Sequence, residues 1–289
     1  MKQLLTVVFI LLVAACSAQE TSLFKIVSFS DGVTIDGRVP FIGQDVTNTN
    51  KSTDIPPRGY LGVITSDGYA LMLRSSSRVE DVRPLRVSKN KLRWDGAVIA
   101  QAPDFFFWPD CDADETTVLG DTVLLVWETN YQKQPETFTL RLTDMFDEEL
   151  RTSEEHANYA VVGIKEMWAN ANNWILTYLS ATAVHSDNTP GRTLRSHPVV
   201  MTNKDHPSKK NKLQTRIDQV NADLAKVPDT PDRLFLESAI YRVNGFLYDS
   251  NFCLYKILKS KRTTSDPIFA KYYETMFEEN HFKYVAADN

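Results

Sequence analysis

The chain has few cysteines, no excess of basic residues, and no long apolar segment after its first 16 residues. Its 289 residues include three cysteines, Cys16, Cys111 and Cys253, too few for a disulfide-rich scaffold. The formal net charge of −5 gives no broad basic surface, so we expect no nucleic-acid partner. After residue 16 there is no run of about 20 apolar residues, the length that a bilayer-spanning helix needs, so we expect a water-soluble body.

The chain also lacks the patterns that usually accompany catalysis. No serine lies in a nucleophile elbow, and no glycine-rich loop is suited to hold a phosphate or a dinucleotide. The carboxylates of Asp147, Glu148 and Glu149 suit a charged surface better than an acid–base pair. No two histidines have the spacing of ligands on one helical face; the five are His156, His185, His197, His206 and His281. We therefore expect a non-catalytic protein without a cofactor.

One acidic segment has part of the pattern of a calcium-binding loop. Asp110, Asp112, Asp114 and Asp121 occupy the first, third, fifth and twelfth positions of such a loop. However, Glu115 stands where the sharp turn needs glycine, and Asp121 is shorter than the usual bidentate glutamate. A solvated acidic loop is the preferred interpretation, and weaker calcium binding stays open.

The first 16 residues have the pattern of an export signal. Lys2 precedes an apolar stretch, residues 4–15, that is too short to cross a bilayer. Small residues, Val13-Ala14-Ala15, come directly before Cys16, and this ending resembles the bacterial lipoprotein signal. The resemblance implies cleavage before Cys16 and attachment of membrane lipid to its thiol and new amino group. The alternative is an ordinary signal peptide that is cut after Ala18 and releases a soluble protein.

The residues after Cys16 bear on the location. Ser17, instead of aspartate, resembles the signal for sorting to the outer membrane. The segment Ser17-Ala18-Gln19-Glu20 matches poorly the acidic export tags of some surface lipoproteins of Bacteroidota. We therefore expect a protein anchored to the outer membrane of a Bacteroidota-like bacterium, on the periplasmic face in preference to the cell surface.

Residues 23–102 are predicted to form a small, hairpin-rich β-domain. All four Asp-Gly pairs of the chain lie here, and Asp-Gly favours the two-residue type I′ turn. The clearest predicted hairpin turns at Asp67-Gly68. The order Gly32-Val33-Thr34-Ile35-Asp36-Gly37, Gly43-Gln44, Gly59-Tyr60-Leu61, Asp67-Gly68 and Ser77 resembles the periplasmic β-domain of FecR-type regulators. The transmembrane and anti-sigma segments of that family are absent, so only the β-module is implied.

Residues 103–203 are predicted to form a second β-module. Strands are expected at Thr122–Trp127, Glu136–Leu142 and Asn173–Leu179, and a short helical turn at Asp144–Leu150. A strand that ends in tryptophan, followed by an alternating strand, resembles an immunoglobulin-like sandwich. The aromatic residues Phe105–Trp108, Trp168 and Trp174 suit either a core or a surface that stacks on sugar or peptide.

After a polar linker, residues 204–212, the periodicity changes to that of helices. Leu213, Ile217, Val220 and Leu224 form one apolar stripe. A second helix is predicted to start with Thr230 as the N-cap and to carry a stripe from Leu234 to Leu247; Asp266-Pro267 starts a last helix. The spacing of Ser238, Tyr241, Gly245, Leu247 and Ser250 resembles a tetratricopeptide hairpin. Because so few repeats rarely form a core, we expect residues 213–289 to dock on the β-modules.

These patterns predict a multidomain α+β protein, with two β-modules followed by a helical region. The expected function is that of a lipid-anchored scaffold or accessory subunit that binds other envelope proteins. The alternative is a lipoprotein that binds a glycan or peptide ligand, and an enzyme is the third possibility. The sequence leaves open whether Cys111 and Cys253 form a disulfide.

Overall fold

The computed structural model describes residues 22–50, 52–82, 105–108, 116–129, 137–143, 148–163, 175–184, 190–195, 199–201, 212–280 and 282–286. Within these residues small β-sheets come first and α-helices follow, so the predicted α+β class is confirmed. None of the helices in the described ranges is long and apolar enough to cross a membrane.

The first β-region contains two small antiparallel sheets. The larger has the order β3-β1-β5-β6, and the smaller has the order β2-β4-β7. The strands are β1 Ser22–Phe29, β2 Thr34–Ile35, β3 Asp45–Thr47, β4 Ser52–Asp54, β5 Leu61–Thr65, β6 Ala70–Leu73 and β7 Ser77–Arg78, followed by a 3₁₀ turn at Val79–Asp81. Apolar side chains of both sheets, including Phe24, Ile35 and Val63, form one buried cluster.

The Asp-Gly pairs form different turns. Asp36 and Gly37 both have positive φ, 48° and 75°, and the flanking residues Ile35 and Arg38 exchange two backbone hydrogen bonds. This is the predicted type I′ turn. The hairpin at Asp67-Gly68 is confirmed, but the predicted two-residue turn type is wrong. Only Gly68 has positive φ, and three residues lie between Thr65 and Tyr69, whose backbones are hydrogen-bonded.

The second β-region has one three-stranded and one larger sheet. Their orders are β13-β10-β8 and β12-β11-β14-β16-β9, and β15 also pairs with β14. Only the β9–β16 pairing is parallel among the described strands. The bounds are β8 Phe105–Trp108, β9 Thr116–Val118, β10 Thr122–Thr129, β11 Thr137–Thr143, β12 Glu149–Glu155, β13 Tyr159–Gly163, β14 Ile175–Val184, β15 Pro190–Arg195 and β16 Val199–Met201.

Three predicted strands of this region are confirmed as β10, β11 and β14. The side chains of Trp127 on β10 and Phe138 on β11 are buried edge to face, with ring centroids 5.4 Å apart, and so join the two sheets. The structure describes residues 148–150 of the helical turn predicted for Asp144–Leu150. The prediction is wrong there, because Glu149 and Leu150 belong to β12. The long β11–β12 ladder overrides the local helical preference of these residues.

Five helices are present in the described part of the C-terminal region: α1 Lys212–Ala225, α2 Arg233–Val243, α3 Leu247–Lys259, α4 Pro267–Glu279 and α5 Lys283–Ala286. The α1 stripe is confirmed, with Ile217 and Val220 buried.

The predicted second helix is wrong at both ends. Helix α2 begins at Arg233, since a turn closed by the Arg233 N–H and the Thr230 carbonyl comes first. It ends before Gly245, whose φ of +79° interrupts the helix and sends Leu247 into α3. The start predicted at Asp266-Pro267 is confirmed, although the short helix α5 follows it.

The helices and both β-regions share one apolar core. Val27 and Ile64 come from the first β-region, Leu124 and Val126 from the second, and the apolar faces of the helices lie between them. Helix α2 contacts β1, β5 and β6, whereas α3 contacts β9 and β10. The expected docking of the helical region on the β-regions is confirmed.

Candidate functional site: the helix–sheet junction

A buried lysine ties β1 to α4. Lys25, with a side chain 4% exposed, places Nζ 2.7 Å from Oδ2 of Asp266 and 2.8 Å from Oδ1 of Asp45. It also lies 5.1 Å from the ring centroid of Phe269. Burial alone would lower the pKa of Lys25, but its hydrogen bonds and charge interactions with Asp266 and Asp45 raise it overall.

Asp266 uses its two oxygens for different purposes. While Oδ2 binds Lys25, Oδ1 accepts hydrogen bonds from the backbone N–H groups of Ile268 and Phe269, at 2.9 and 3.2 Å. This is an N-cap with proline at the first helical position. The residue that starts α4 therefore also fixes the helix against β1.

A buried carboxylate ties α1 to the other end of β1. Asp223 is 1% exposed, and its Oδ2 accepts a hydrogen bond of 2.5 Å from Oγ of Ser28. Nζ of Lys226 lies 3.8 Å from Oδ1. Burial raises the pKa of Asp223 to about 6, and burial together with the charge of Asp223 raises the pKa of Tyr60 nearby. This carboxylate is held in an environment that disfavours its charge.

A second buried carboxylate ties α3 to the second β-region. Asp249 lies in the first turn of α3 and accepts backbone hydrogen bonds from Leu119, at 3.0 Å to Oδ2, and Gly120, at 2.6 Å to Oδ1. A Cβ atom on Gly120 would lie 2.9 Å from Oδ1, so glycine permits this close approach. Asp249 therefore holds the loop between β9 and β10 on the end of the helix.

Polar side chains also connect the helices to one another. Oγ of Ser238 lies 3.1 Å from Oγ of Ser250 and 3.0 Å from the hydroxyl of Tyr272, all inside the core. Nδ2 of Asn251 donates a hydrogen bond of 3.2 Å to Oδ1 of Asn280. These contacts join α2, α3 and α4 through directional bonds in an otherwise apolar interior.

An open groove lies where α2 begins, opposite the loop between α3 and α4. Its volume is about 490 Å³. The wall combines arginines, carboxylates and threonines; the lining residues are Asp229, Thr230, Pro231, Arg233, Leu234, Glu237, Arg262 and Thr263. Nε of Arg233 lies 2.7 Å from Oε1 of Glu237, so this arginine is paired within the wall. The side chain of Arg262 is exposed to solvent. Six of the eight lining residues are polar, so the groove offers hydrogen-bonding and charged groups to a ligand.

The residues singled out in the sequence do not meet at these sites. Cys16, Asp110, Asp112, Asp114 and Cys111 lie outside the described residues, as do Trp168 and Trp174. Asp121 is exposed in the loop before β10. Cys253 is a free, buried thiol on α3, and burial raises its pKa to about 12. In the described ranges no three histidine, cysteine, aspartate or glutamate side chains group as metal ligands.

Lys25, Asp223 and Asp249 were not predicted as site residues, although the sequence around each of them carries a signal. Lys25 stands between Phe24 and Ile26 in an apolar strand, and Asp223 lies three residues after Val220 on the apolar face of α1. Asp249 follows the apolar run Phe246–Tyr248. A charge inside an apolar pattern indicates a buried, paired group.

The fold and the junction define an α+β protein in which a helical layer joins two β-regions through buried charges. In comparisons with known proteins, the chain matches no family model, no curated protein and no solved structure.

Proposed function

We propose that this chain is a lipid-anchored, non-catalytic scaffold or accessory subunit of a cell-envelope assembly. Acyl chains on Cys16 attach it to the outer membrane, with the body on the periplasmic side. The support for this anchor is the leader ending in Val13-Ala14-Ala15-Cys16. Several acyl chains give stable attachment where a single one is marginal.

The observation that carries the scaffold proposal is the way in which the buried charges are used. Lys25, Asp223 and Asp249 each bind another structural element, and none of them lines the open groove. A joined core and directional contacts make one body from three regions of the chain. Such a body holds docking surfaces at fixed separations, which is what a scaffold requires.

We also propose a finer fold for each region. The hairpins at Asp36-Gly37 and Asp67-Gly68 support a FecR-type β-domain. The two sheets joined by Trp127 and Phe138 support an immunoglobulin-like module. The reversal of the chain at Gly245, between α2 and α3, supports a tetratricopeptide-like hairpin.

The test is a crosslinking pull-down from intact envelopes, with wild type beside Cys16→Ser. Intact-mass measurement first reports whether the wild-type chain carries acyl chains at Cys16. We then expect discrete envelope proteins to copurify with the wild type and to be lost in the variant. An acylated chain that captures no protein would overturn the scaffold role, and an unmodified chain would overturn the anchor.

A ligand-binding lipoprotein is the second candidate, because the open groove offers hydrogen-bonding and charged groups. A glycan or a short peptide would bind there through Arg262 and the neighbouring threonines. Binding screened over glycan and peptide libraries should then fall in Arg262→Ala. A ligand with equal affinity for both forms would exclude the groove as its site.

A further inference from the structure

The most exposed large apolar side chains of the described residues lie together on one turn. Val39 is 75% exposed and Phe41 is 64% exposed, whereas Pro40 and Ile42 beside them are buried. The Phe41 N–H donates to Oε1 of Gln44 at 3.1 Å, and the Gln44 N–H donates to the Phe41 carbonyl at 3.2 Å. The turn is therefore held in place while it presents an apolar pair to its surroundings, as a contact surface does.

Backbone hydrogen bonds fix the position of this turn and the residues that lead into it, 38–44, relative to the start of β1. Gly43 donates to the Ile26 carbonyl at 2.8 Å, and Ile26 donates to the Gln44 carbonyl at 2.9 Å. The turn thus lies on the β3 side of the sheet, level with Ile26. Four residue steps along the strand separate Ile26 from Ser22, a distance of about 13 Å.

We infer that this turn and the residues that lead into it, 38–44, contact the lipid leaflet to which Cys16 is anchored. This inference rests on the proposed lipid anchor. Six residue steps connect Cys16 to Ser22, so full extension spans about 20 Å. Both the acyl chains and the side chains of Val39 and Phe41 can therefore reach one leaflet when the β3 edge faces it.

The short tether favours lipid over a partner protein as the occupant of this surface. A domain of 100 residues has a radius of gyration of about 13 Å, so it does not fit into a gap that about 20 Å of chain can span. Arg38, exposed beside the apolar pair, supplies a cation for a headgroup phosphate.

Charge selects this edge over the opposite one. The turn between β5 and β6 exposes Asp67, and α4 exposes Glu274 and Glu278 on the adjoining surface, where Oγ1 of Thr275 donates to the Asp67 carbonyl. One cation, Lys271, pairs with Glu274 there, so carboxylates are in excess on this side. On the β3 side Arg38 offsets the exposed Asp36, and Asp45 is paired with Lys25. Anionic headgroups repel these carboxylates. The acyl chains supply the affinity, and the turn sets the orientation, so that the acidic side faces away from the leaflet.

The test places the photoreactive residue p-benzoylphenylalanine at one position at a time in the full-length, lipidated protein. Positions 39 and 41 probe the turn. Position 69, a tyrosine 37% exposed just before β6, and position 161, a valine 39% exposed on β13, are the controls. The purified proteins bind vesicles of phosphatidylethanolamine and phosphatidylglycerol that contain a fluorescent phospholipid. After irradiation we expect several-fold more fluorescent adduct at 39 and 41 than at 69 and 161.

Two results would overturn the inference alone: an acylated, vesicle-bound protein labelled equally at all four positions, or a discrete protein adduct at position 41 in intact envelopes. A chain without acyl groups by intact mass would overturn the anchor and this inference together. The double variant Val39→Ser/Phe41→Ser keeps Cys16 and the core. In the wild type, p-benzoylphenylalanine at position 38 should also give more adduct than at position 69. The double variant should remain bound to vesicles and lose this difference.

Discussion

Replacement of Asp223 by asparagine is expected to stabilise the protein at neutral and basic pH. The carboxylate is buried between α1 and β1, and Oδ2 accepts a hydrogen bond from Ser28. Asparagine keeps an oxygen for this bond and removes the charge that burial disfavours. The cation nearest to Asp223, Lys226, lies 3.8 Å away with its side chain 47% exposed, so it compensates the charge only in part.

The size of the effect follows from the pKa of Asp223. Burial raises it to about 6 from an ordinary value of 3.8. At 1.36 kcal/mol per pKa unit, ionisation in the folded state costs about 3 kcal/mol. Because the folded protein binds the proton more tightly than the unfolded chain, this group's contribution to stability is full below about pH 4. It is lost as the pH rises through 6.

The assay is urea unfolding of wild type and Asp223→Asn at intervals from pH 4 to pH 8, in a Cys16→Ser background without the leader. We expect the variant to be more stable by about 1–3 kcal/mol at pH 8, with the difference close to zero at pH 4. Asp121→Asn, at an exposed carboxylate, is the matched control and should show no such dependence. A variant that is less stable than wild type at pH 8 would refute the reasoning, since the ionised carboxylate would then be a net stabiliser.

The same unfolding assay at pH 7 checks the other predictions. Asp249→Asn should lower the free energy of unfolding by about 1–3 kcal/mol, opposite in sign to Asp223→Asn, because one of two backbone N–H groups loses its acceptor. Unchanged stability would contradict this. Gly68→Ala should lower the free energy of unfolding by about 1–3 kcal/mol more than Gly37→Ala does. Both glycines have positive φ, but only at Gly68 would a Cβ meet α4, 2.5 Å from a backbone oxygen, so equal losses would count against that contact. Lys25→Met should lower the free energy of unfolding by about 2–4 kcal/mol, since the Asp266 carboxylate keeps its charge but loses the Lys25 ammonium. Unchanged stability would show that solvent replaces this ammonium.

The local β structure was largely predictable because turn chemistry and strand periodicity act over a few residues. Asp36-Gly37 adopts the two-residue turn that its sequence favours. At Asp67-Gly68 the same dipeptide is part of a three-residue turn, in which the Thr65 N–H bonds to the Tyr69 carbonyl. The extra residue takes the turn to the surface of α4, where Oγ1 of Thr275 donates to the Asp67 carbonyl, a contact that no local pattern reveals.

Helix ends were predictable only where the capping group acts locally. Asp266 caps α4 with its own side chain, so Asp-Pro was a sufficient signal. At Gly245 the apolar stripe continues past the break, and periodicity alone joined α2 to α3. The guanidinium of Arg216 on α1 bonds to the carbonyl of Asn244, so the break is stabilised by a helix distant in sequence.

The candidate site was the least predictable part, because its partners are far apart in the chain. Ser28 and Asp223 are 195 residues apart, and Asp249 is 130 residues from Leu119. The sequence shows each charge within an apolar pattern and so indicates that a partner must exist. Only the tertiary structure shows which residue it is.

The buried charges explain how an apolar core of this composition specifies one arrangement. Contacts among leucine, isoleucine and phenylalanine are not directional, so helices resting on a sheet could slide or rotate with little change in buried area. Asp223 on α1, Asp249 on α3 and Asp266 at the start of α4 each accept a bond from a defined atom of a β-region. Buried ion pairs add little net stability, but a misplaced helix would leave its carboxylate without a partner and be strongly disfavoured. For the scaffold proposed above, the separation between docking surfaces would matter more than total stability, and these charges would fix that separation.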